Sequence, residues 1–303
     1  MKKLIQSTSF LAILACLLWS TAFTGIKIGL EYTPPIQFAG IRFMLSGLLI
    51  MPLVGKFAPF IDAIRKNGWY ILLIAFFQTF ILYALFYKGI SMLPGSITAI
   101  TIGAQPLFIA LMAHFYIRND RLTFKKVLLI SLGISGVALI ALRKGFTGHD
   151  ATTQLIGIAL LILSNISSGI ANLLVHQSTR KISSVVLSSL QLFLGGVGLM
   201  ILSHFIEPFK GFIFPLPYYL ALGWLSMLSA VSFTLWFILL KRPGIKVSEL
   251  NVWKFIIPVF GAIFSWMILP LESPDIISIT GMAIIAISLI LYYMGDFKKK
   301  LLN

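Results

Sequence analysis

Residues 218–240 read YYLALGWLSMLSAVSFTLWFILL, a run without a charged side chain that ends directly before Lys241 and Arg242. A hydrocarbon core about 30 Å thick is crossed by roughly 17–25 apolar residues in a helix, so this run is long enough to span a membrane. A transmembrane β-strand needs only about 9–11 residues and alternates apolar with polar side chains. Because the run is longer than that and apolar on all sides, it predicts a transmembrane helix.

Other stretches of the chain have the same apolar character. Together with the run above they give ten predicted spans, at residues 9–30, 36–54, 69–87, 96–117, 127–142, 155–175, 184–206, 218–240, 247–269 and 276–294. The composition agrees, because 58% of the 303 residues are hydrophobic and 11% are charged. Soluble globular proteins have roughly 45–50% apolar and about 25% charged residues. The sequence therefore predicts an all-α integral membrane protein with ten transmembrane helices.

The chain carries a net charge of +15 at pH 7, and the position of the basic residues decides how this charge is interpreted. Lys and Arg concentrate in the segments on one side of the predicted membrane, for example at 118–126 and 241–246. By the positive-inside rule that side is the cytoplasm, so we expect a multi-pass protein of the inner cell membrane with both termini cytoplasmic. The basic residues form no soluble basic face, and we therefore expect no nucleic-acid partner.

The second half of the chain repeats features of the first after a shift of 152 residues, the separation between positions 106 and 258. In this register Pro106 falls on Pro258 and Asp120 falls on Glu272, so a proline inside a span and an acid after it recur together. Five spans are an odd number, so the second half enters the membrane from the opposite side. We therefore predict a 5+5 inverted-topology repeat that forms one transport unit. The two predicted halves are residues 1–150 and 151–303.

Several motifs resemble those of one family of membrane carriers. They are LWSTAFTGIKIGLE at 18–31, FAGIRF at 38–43, YALFYKGISMLP at 83–94, PLFIAL at 106–111 and NDRLT at 119–123, followed by WFILLKR at 236–242 and PVFGA at 258–262. Over nearly its whole length the sequence resembles the EamA-type transporters of the drug/metabolite transporter superfamily. That family usually has Gly-Glu where this chain has Asn119-Asp120. The resemblance implies a ten-helix inner-membrane permease that moves small metabolites and often exports amino acids or related compounds.

We accordingly expect a secondary carrier, not an enzyme, that exports an amino acid or a related amphipathic solute by alternating access. A membrane-embedded lipid-modifying enzyme and a membrane subunit without transport activity are the alternatives. The enzyme would need a nucleophile with a base, or a metal cluster, at one membrane face. The nine acids are spread singly along the chain, and the single cysteine, Cys16, cannot form a cluster. We therefore expect no cofactor and no bound metal.

The energy source and the assembly state are left open by the sequence. Because the chain has no Walker motif, energy would come from a proton gradient or from the gradient of the solute itself. The expected partners are a small-molecule substrate and the lipid bilayer. The protein would be a monomer or a homodimer.

Charged side chains inside a span cost roughly 2.5–3.5 kcal/mol on insertion scales and are by default candidates for function. Lys27, Arg42 and Lys254 are such residues, and Asn251 lies three positions before Lys254 on the same predicted helical face. All three charged side chains can instead extend toward the membrane surface, and Lys27 can pair with Glu31 four residues later. We expect Arg42 to order the outer ends of the first helices.

Uncharged polar and aromatic residues complete the predicted site, a central cavity between the two halves. A donor, an acceptor and a cation beside aromatic walls would suit a small zwitterion or a carboxylate with an apolar body. Each residue also has a structural alternative, because polar side chains can join helices and tryptophans can anchor the chain at the membrane interface. The predicted substrate-binding residues are Trp19, Lys27, Gln105, Asn172, Trp236, Asn251 and Lys254.

Pro106 and Pro258 are the predicted hinges. Each proline lacks a backbone N–H and frees the carbonyl four residues earlier, at Ile102 and Lys254. A freed carbonyl in hydrocarbon must face protein or a water-filled cavity, which predicts a hinge or a substrate-contacting backbone near the middle of the membrane. The alternative is a static kink that improves packing.

Overall fold

The computed structural model describes residues 7–92, 101–142, 151–211, 213–268 and 276–301, and these residues form helices and their connections, without a strand. The all-helical prediction is confirmed. The α-helices are α1 Thr8–Ser20, α2 Ala22–Leu30, α3 Pro35–Val54, α4 Ala58–Ala75, α5 Ile81–Ser91, α6 Gln105–Tyr116, α7 Phe124–Leu142, α8 Ala151–His176, α9 Ser184–Ile206, α10 Leu216–Leu240, α11 Val247–Val252, α12 Ile256–Ile268 and α13 Ile276–Leu301.

Several helical segments of the described chain are both long and apolar enough to cross a membrane. They are Pro35–Val54, Ala58–Ile90, Leu155–His176, Ser184–Ile206 and Leu216–Leu240. Their outer faces expose large apolar side chains such as Leu53, Trp69 and Phe205, each more than three-quarters accessible. Monomeric soluble proteins rarely expose contiguous apolar surface on this scale. The helices therefore have the surface of a membrane protein, as the composition predicts.

The first predicted span is broken into two helices and does not run continuously. The break lies at Thr21, between α1 and α2. There the Ser20 hydroxyl donates to the Cys16 carbonyl and the Thr21 hydroxyl donates to the Leu18 carbonyl, each at 2.8 Å. Side-chain bonds to the preceding turn compete with the helical hydrogen bonds and bend helices. The ninth predicted span is also broken, because α11 passes through a 3₁₀ turn at Trp253–Phe255 into α12.

Both predicted hinge prolines lie at helix starts, whereas we expected them inside continuous helices. Pro106 is the second residue of α6 and follows a turn at Ala104. Pro258 is the third residue of α12 and follows the 3₁₀ turn. The N–H groups of the first helical turn have no intrahelical acceptor, so a proline there removes no hydrogen bond of the helix. The regular α-helix is therefore interrupted shortly before each proline.

Helices from the two parts of the chain pack as close pairs, α3 against α9 and α7 against α13. Glycines allow this approach. A Cβ atom on Gly196 of α9 would lie 2.5 Å from the backbone nitrogen of Met44 in α3. A Cβ atom on Gly136 of α7 would lie 2.7 Å from the carbonyl oxygen of Gly281 in α13. In both pairs the helix backbones are thus in direct contact, as small residues permit in membrane helices.

The remaining helices surround these pairs: α1 packs on α10 and α12, and α8 packs on α5 and α6. An open cavity of about 680 Å³ lies on the lateral surface, between α4, the π-helical turn Phe76–Phe80 and α9. It is lined entirely by apolar residues and glycines, among them Trp69, Leu194 and Phe205. None of the predicted site residues lines it, so this cavity belongs to the lateral surface of the bundle and not to the candidate site.

Candidate functional site

Lys254 and two tryptophans form the centre of the candidate site. Lys254 lies in the 3₁₀ turn before α12, and its Nζ is 4.9 Å from the ring centroid of Trp236 and 5.9 Å from that of Trp19. The two indole rings are 5.3 Å apart and tilted by 59°. An ammonium within about 6 Å of a tryptophan ring is attracted by the negative ring face. The broken helix thus holds a cation against aromatic side chains of α1 and α10.

Gln105 accepts a hydrogen bond from this ammonium, with 3.0 Å between Lys254 Nζ and Gln105 Oε1. Gln105 is the first residue of α6, directly before Pro106, so the helix starts of both parts of the chain meet here. No carboxylate in the described part of the chain forms an ion pair with Lys254. An ammonium has three donors, so Lys254 keeps charge and donor capacity for an anionic group of a ligand.

Asn172 of α8 orients one of the two indole rings. The Trp236 Nε1–H group donates to Asn172 Oδ1 at 2.8 Å, and Asn172 Nδ2 donates to the Ser168 carbonyl at 2.6 Å. Asn172 and Trp236 are both almost completely buried. Both polar atoms of the Asn172 amide therefore have partners inside the protein, one of which is the indole of Trp236.

Asn251 is completely buried in α11, where its Nδ2 donates to the Val247 carbonyl one turn earlier at 2.9 Å. Its Oδ1 has no hydrogen-bond partner among the described residues. Asn251 and Lys254 form no hydrogen bond to each other in the described part of the chain, and Lys254 lies in the 3₁₀ turn that follows α11. An unsatisfied buried acceptor costs about 1–3 kcal/mol, so this oxygen is available to a donor that a ligand or a change of conformation brings.

A second buried cation lies in α3. Arg42 is 2% exposed, and its Nε and Nη2 donate to the Ser229 hydroxyl of α10 at 3.1 and 2.8 Å. Its guanidinium carbon lies 4.8 Å from the Phe43 ring centroid, and Tyr83 and Tyr87 lie near it. We expected Arg42 to order the outer ends of the first helices, whereas it contacts the middle of α10. The sequence did not predict the contact between Arg42 and Ser229, because a single serine in an apolar span is not unusual.

A series of aromatic rings, the aromatic ladder, joins the surroundings of the two cations. It runs from Trp236 to Trp19, then to Phe233 at 5.5 Å, to Phe43 at 6.4 Å and to Tyr83 at 4.3 Å between ring centroids. Neighbouring rings are tilted or edge-to-face, which are arrangements that aromatic pairs prefer. The ladder is therefore a continuous series of ring contacts between the surroundings of Lys254 and those of Arg42.

The sequence matches the model of a known protein family in two segments. The model described as "EamA-like transporter family" matches the chain over residues 6–142 and again over residues 155–294. The chain belongs to the EamA-like transporter family. The resemblance that its motifs indicate is thereby confirmed, and the protein is a membrane transporter.

Relatives of this EamA-like transporter agree with the assignment. The "Uncharacterized transporter YvbV" of Bacillus subtilis is 28% identical over 268 residues, which cover 88% of this chain and 85% of that protein. A "Probable amino-acid metabolite efflux pump" of Salmonella typhimurium is 30% identical over 135 residues, 45% of this chain and 43% of that protein. A protein of known crystal structure superposes with a TM-score of 0.77 at 17% identity, covering 95% of this chain and 98% of the other. At that identity the superposition shows a shared fold alone.

In this EamA-like transporter, most of the predicted substrate-binding residues meet around one ammonium. Asn172 is linked to the group through Trp236, whereas Asn251 makes no hydrogen bond to it. Lys27 belongs to α2, but its side chain lies outside the described part of the structure. The substrate-binding role of these residues stays a prediction.

Proposed function

We propose that this EamA-like transporter is a secondary carrier of the inner cell membrane that exports an amino acid or a related amphipathic solute with a carboxylate group. The observation that carries the proposal is the ammonium of Lys254, which has aromatic neighbours and a neutral acceptor but no described carboxylate partner. A substrate carboxylate would supply the missing negative charge through a charge-assisted hydrogen bond. The apolar body of the substrate would pack on Trp19 and Trp236.

The name of one relative supports this choice of substrate class and direction, and the family supports a carrier. One relative is named as an amino-acid metabolite efflux pump. Family membership favours a carrier over the membrane-embedded enzyme and the non-transporting subunit that the sequence left open.

Transport would proceed by alternating access of two halves, residues 1–150 and 151–303, related as a 5+5 inverted-topology repeat. The helix packing supports this relation. A shift by the separation of positions 106 and 258 places α6 on α12, α1 on α8 and α5 on α10. The helix contacts agree with this pairing. Helix α1 packs on α10 and α12, and its counterpart α8 packs on α5 and α6, which are the counterparts of α10 and α12. The helices that the shift superposes, α3 with α9 and α7 with α13, pack as pairs, as they would about an axis in the membrane plane.

The broken helices support a substrate site around Lys254. Discontinuous helices near the middle of the membrane form the substrate sites of many secondary transporters. Here Gln105 begins one such helix and Lys254 precedes the other, and their side chains are hydrogen-bonded. We propose that the interruptions before Pro106 and Pro258 act as the hinges, and that both termini are cytoplasmic.

Uptake into liposomes tests the carrier and the role of the ammonium. Purified protein would be reconstituted and supplied with a panel of labelled amino acids, amines and nucleosides. We expect uptake of carboxylate-bearing solutes, reduced about tenfold or more in Lys254→Met, because a charged hydrogen bond contributes roughly 1.5–3 kcal/mol. Lys66→Met is the matched control, since Lys66 is exposed and pairs with the exposed Asp62. Unchanged uptake by Lys254→Met, at equal protein amount and thermal stability, would contradict the proposed site.

A second arm of the same experiment assigns the energy source. Uptake would be measured with and without an imposed pH gradient at equal solute gradient. Faster uptake with the pH gradient identifies proton coupling, and an equal rate identifies facilitated diffusion.

A further inference from the structure

The charge of Arg42 is buried without a described counter-ion. The residue is 2% exposed, and the ion pairs in the described part of the chain join other residues, Lys66 to Asp62 and Glu249 to two lysines. Removing a charged group from water costs several kcal/mol unless an opposite charge and hydrogen bonds compensate. The Phe43 ring and one serine hydroxyl supply part of this compensation only.

Arg42 and its neighbouring hydroxyls together have more hydrogen-bond donors than the acceptors described around them. A guanidinium has five N–H donors in a planar fork that matches a carboxylate. Nε and Nη2 of Arg42 share a single acceptor, the Ser229 hydroxyl, so the fork has more N–H donors than this hydroxyl can satisfy. The hydroxyl of Ser232, completely buried, also lacks a partner among the described residues, and the hydroxyl of Tyr87, 3% exposed, lies beside the guanidinium. Ser232 follows Ser229 by three residues and so lies on the same face of α10.

We propose that Arg42, with the hydroxyls of Tyr87 and Ser232, forms a second subsite for the carboxylate of the transported solute, separate from the subsite at Lys254. The inference rests on the proposed function, in which the solute carries a carboxylate. A carboxylate is the ligand that fits, because it brings one negative charge and two acceptor oxygens to a fork of N–H donors and nearby hydroxyls.

The positions of the two cations explain why a carrier would have two such subsites. Arg42 lies seven residues after the first residue of α3, and Lys254 lies seven residues after the first residue of α11. Each is therefore about 10 Å along its span at 1.5 Å per residue. In the predicted topology α3 begins on the external side and α11 on the cytoplasmic side. The aromatic ladder joins the two places, so the solute would contact both cations on its path across the membrane.

Direct binding to the purified full-length protein tests this subsite. The probes are 3-phenylpropionate and its neutral counterpart 3-phenylpropanamide, with affinities measured by calorimetry in detergent. We expect the wild type to prefer the carboxylate. Arg42→Gln should weaken carboxylate binding about tenfold or more and leave amide binding unchanged, since it removes the charge and part of the fork. Arg42→Lys, which keeps the charge but not the fork, should have an intermediate affinity.

Milder variants keep the test valid if Arg42→Gln does not fold. Tyr87→Phe and Ser232→Ala each remove one hydroxyl, and we expect each to weaken carboxylate binding about threefold to tenfold without an effect on the amide. Carboxylate affinity equal to that of the wild type in the folded Arg42 variant, or in both hydroxyl variants, overturns the second subsite.

Lys254→Met, measured in parallel, separates this inference from the proposed function. Loss of carboxylate preference in the Lys254 variant alone supports the Lys254 site and overturns the second subsite. Loss in the Arg42 variant alone supports the second subsite and contradicts the Lys254 site. Loss of the carboxylate preference in both variants supports both the Lys254 site and the second subsite. A wild type that does not prefer the carboxylate contradicts both sites.

Discussion

The carboxylate of Asp120 accepts two hydrogen bonds from Ser248, one from the backbone N–H at 2.8 Å and one from the hydroxyl. Asp120 follows α6, and Ser248 is the second residue of α11, so the pair joins the end of one helix to the start of another 128 residues later. Both residues are 1% exposed. The N–H groups at a helix start have no intrahelical acceptor, and Asp120 satisfies one of them from a distant part of the chain. The helix start that leads to Lys254 is thereby fixed.

We expect Asp120→Ala to lower the free energy of unfolding by about 1.5–3 kcal/mol, because it leaves a buried N–H without its charged acceptor. Ser248→Ala keeps the backbone hydrogen bond and should have a smaller effect. Thermal unfolding in detergent measures both. The control is Asp62→Ala, which removes an exposed ion pair with Lys66 that contributes at most about 1 kcal/mol. A shift for Asp120→Ala no larger than that of the control would show that the buried pair does not stabilise the bundle.

The hydrogen bond between Trp236 and Asn172 should appear as a coupling energy. Trp236→Phe removes the indole donor and Asn172→Ala removes the acceptor. Because both groups are buried and bonded to each other, we expect a double-mutant cycle to give a coupling of about 0.5–3 kcal/mol. Unfolding of the two single variants and the double variant provides the measurement.

A second pair in the same protein is the matched control for this cycle. The Trp224 indole donates to the Thr21 hydroxyl at 3.0 Å, but in an exposed position. The cycle of Trp224→Phe with Thr21→Val should therefore give the smaller coupling. Additive effects at Trp236 and Asn172 would mean that the amide does not orient the indole.

Hydropathy was sufficient to predict the helices but not their interruptions. The seventh predicted span, 184–206, agrees with α9 at both ends. The first span was predicted as continuous, and hydropathy has no means to detect that two hydroxyls bond to the preceding turn at Thr21. The ninth span shows the same limit, because a 3₁₀ turn changes hydrogen bonding without a change in polarity. An interruption of a helix is therefore recognised only from the hydrogen bonds of the structure.

The candidate site was predictable where its residues are unusual for a membrane span. Lys254 and Gln105 are conspicuous among apolar neighbours, and they are in contact although 149 residues apart. Arg42 was equally conspicuous, but its partner Ser229 was not, because serines are common inside membrane helices at contacts of many kinds. A charged residue thus marks a site, whereas the neutral residues that complete it become visible only in three dimensions.

The close approach of α3 and α9 predicts a position-dependent effect of adding one methyl group to a glycine. A Cβ atom on Gly196 would lie 2.5 Å from the Met44 nitrogen and 2.9 Å from the Gly40 carbonyl oxygen, and backbone atoms cannot move aside cheaply. We expect Gly196→Ala to destabilise the protein by about 1–3 kcal/mol through overpacking. Gly223→Ala in α10 is the control, since nothing lies within 4 Å of the added atom.

The stability of the control variant should not fall. Alanine is favoured over glycine in a helix by up to about 1 kcal/mol, so Gly223→Ala should leave stability unchanged or raise it. Thermal unfolding of both variants distinguishes the two effects. Equal shifts in the two variants would contradict direct backbone contact between α3 and α9.

The predicted topology can be tested with single cysteines, because the only native cysteine, Cys16, is completely buried and should not react. Lys210 and Lys66 are exposed residues on opposite predicted sides of the membrane. By the positive-inside rule, Lys210→Cys should react with a membrane-impermeant maleimide in intact cells. Lys66→Cys should react only after the membrane is permeabilised.

The same labelling locates the chain ends. Lys3→Cys and Lys299→Cys should behave like Lys66→Cys, since an even number of spans returns the chain to the side on which it began. The wild type gives the background from Cys16, and each variant is compared at equal membrane abundance. Labelling of the two ends from opposite sides would contradict an even number of spans. Labelling of both ends in intact cells, with Lys210→Cys protected, would reverse the orientation and place the Arg42 subsite toward the cytoplasm.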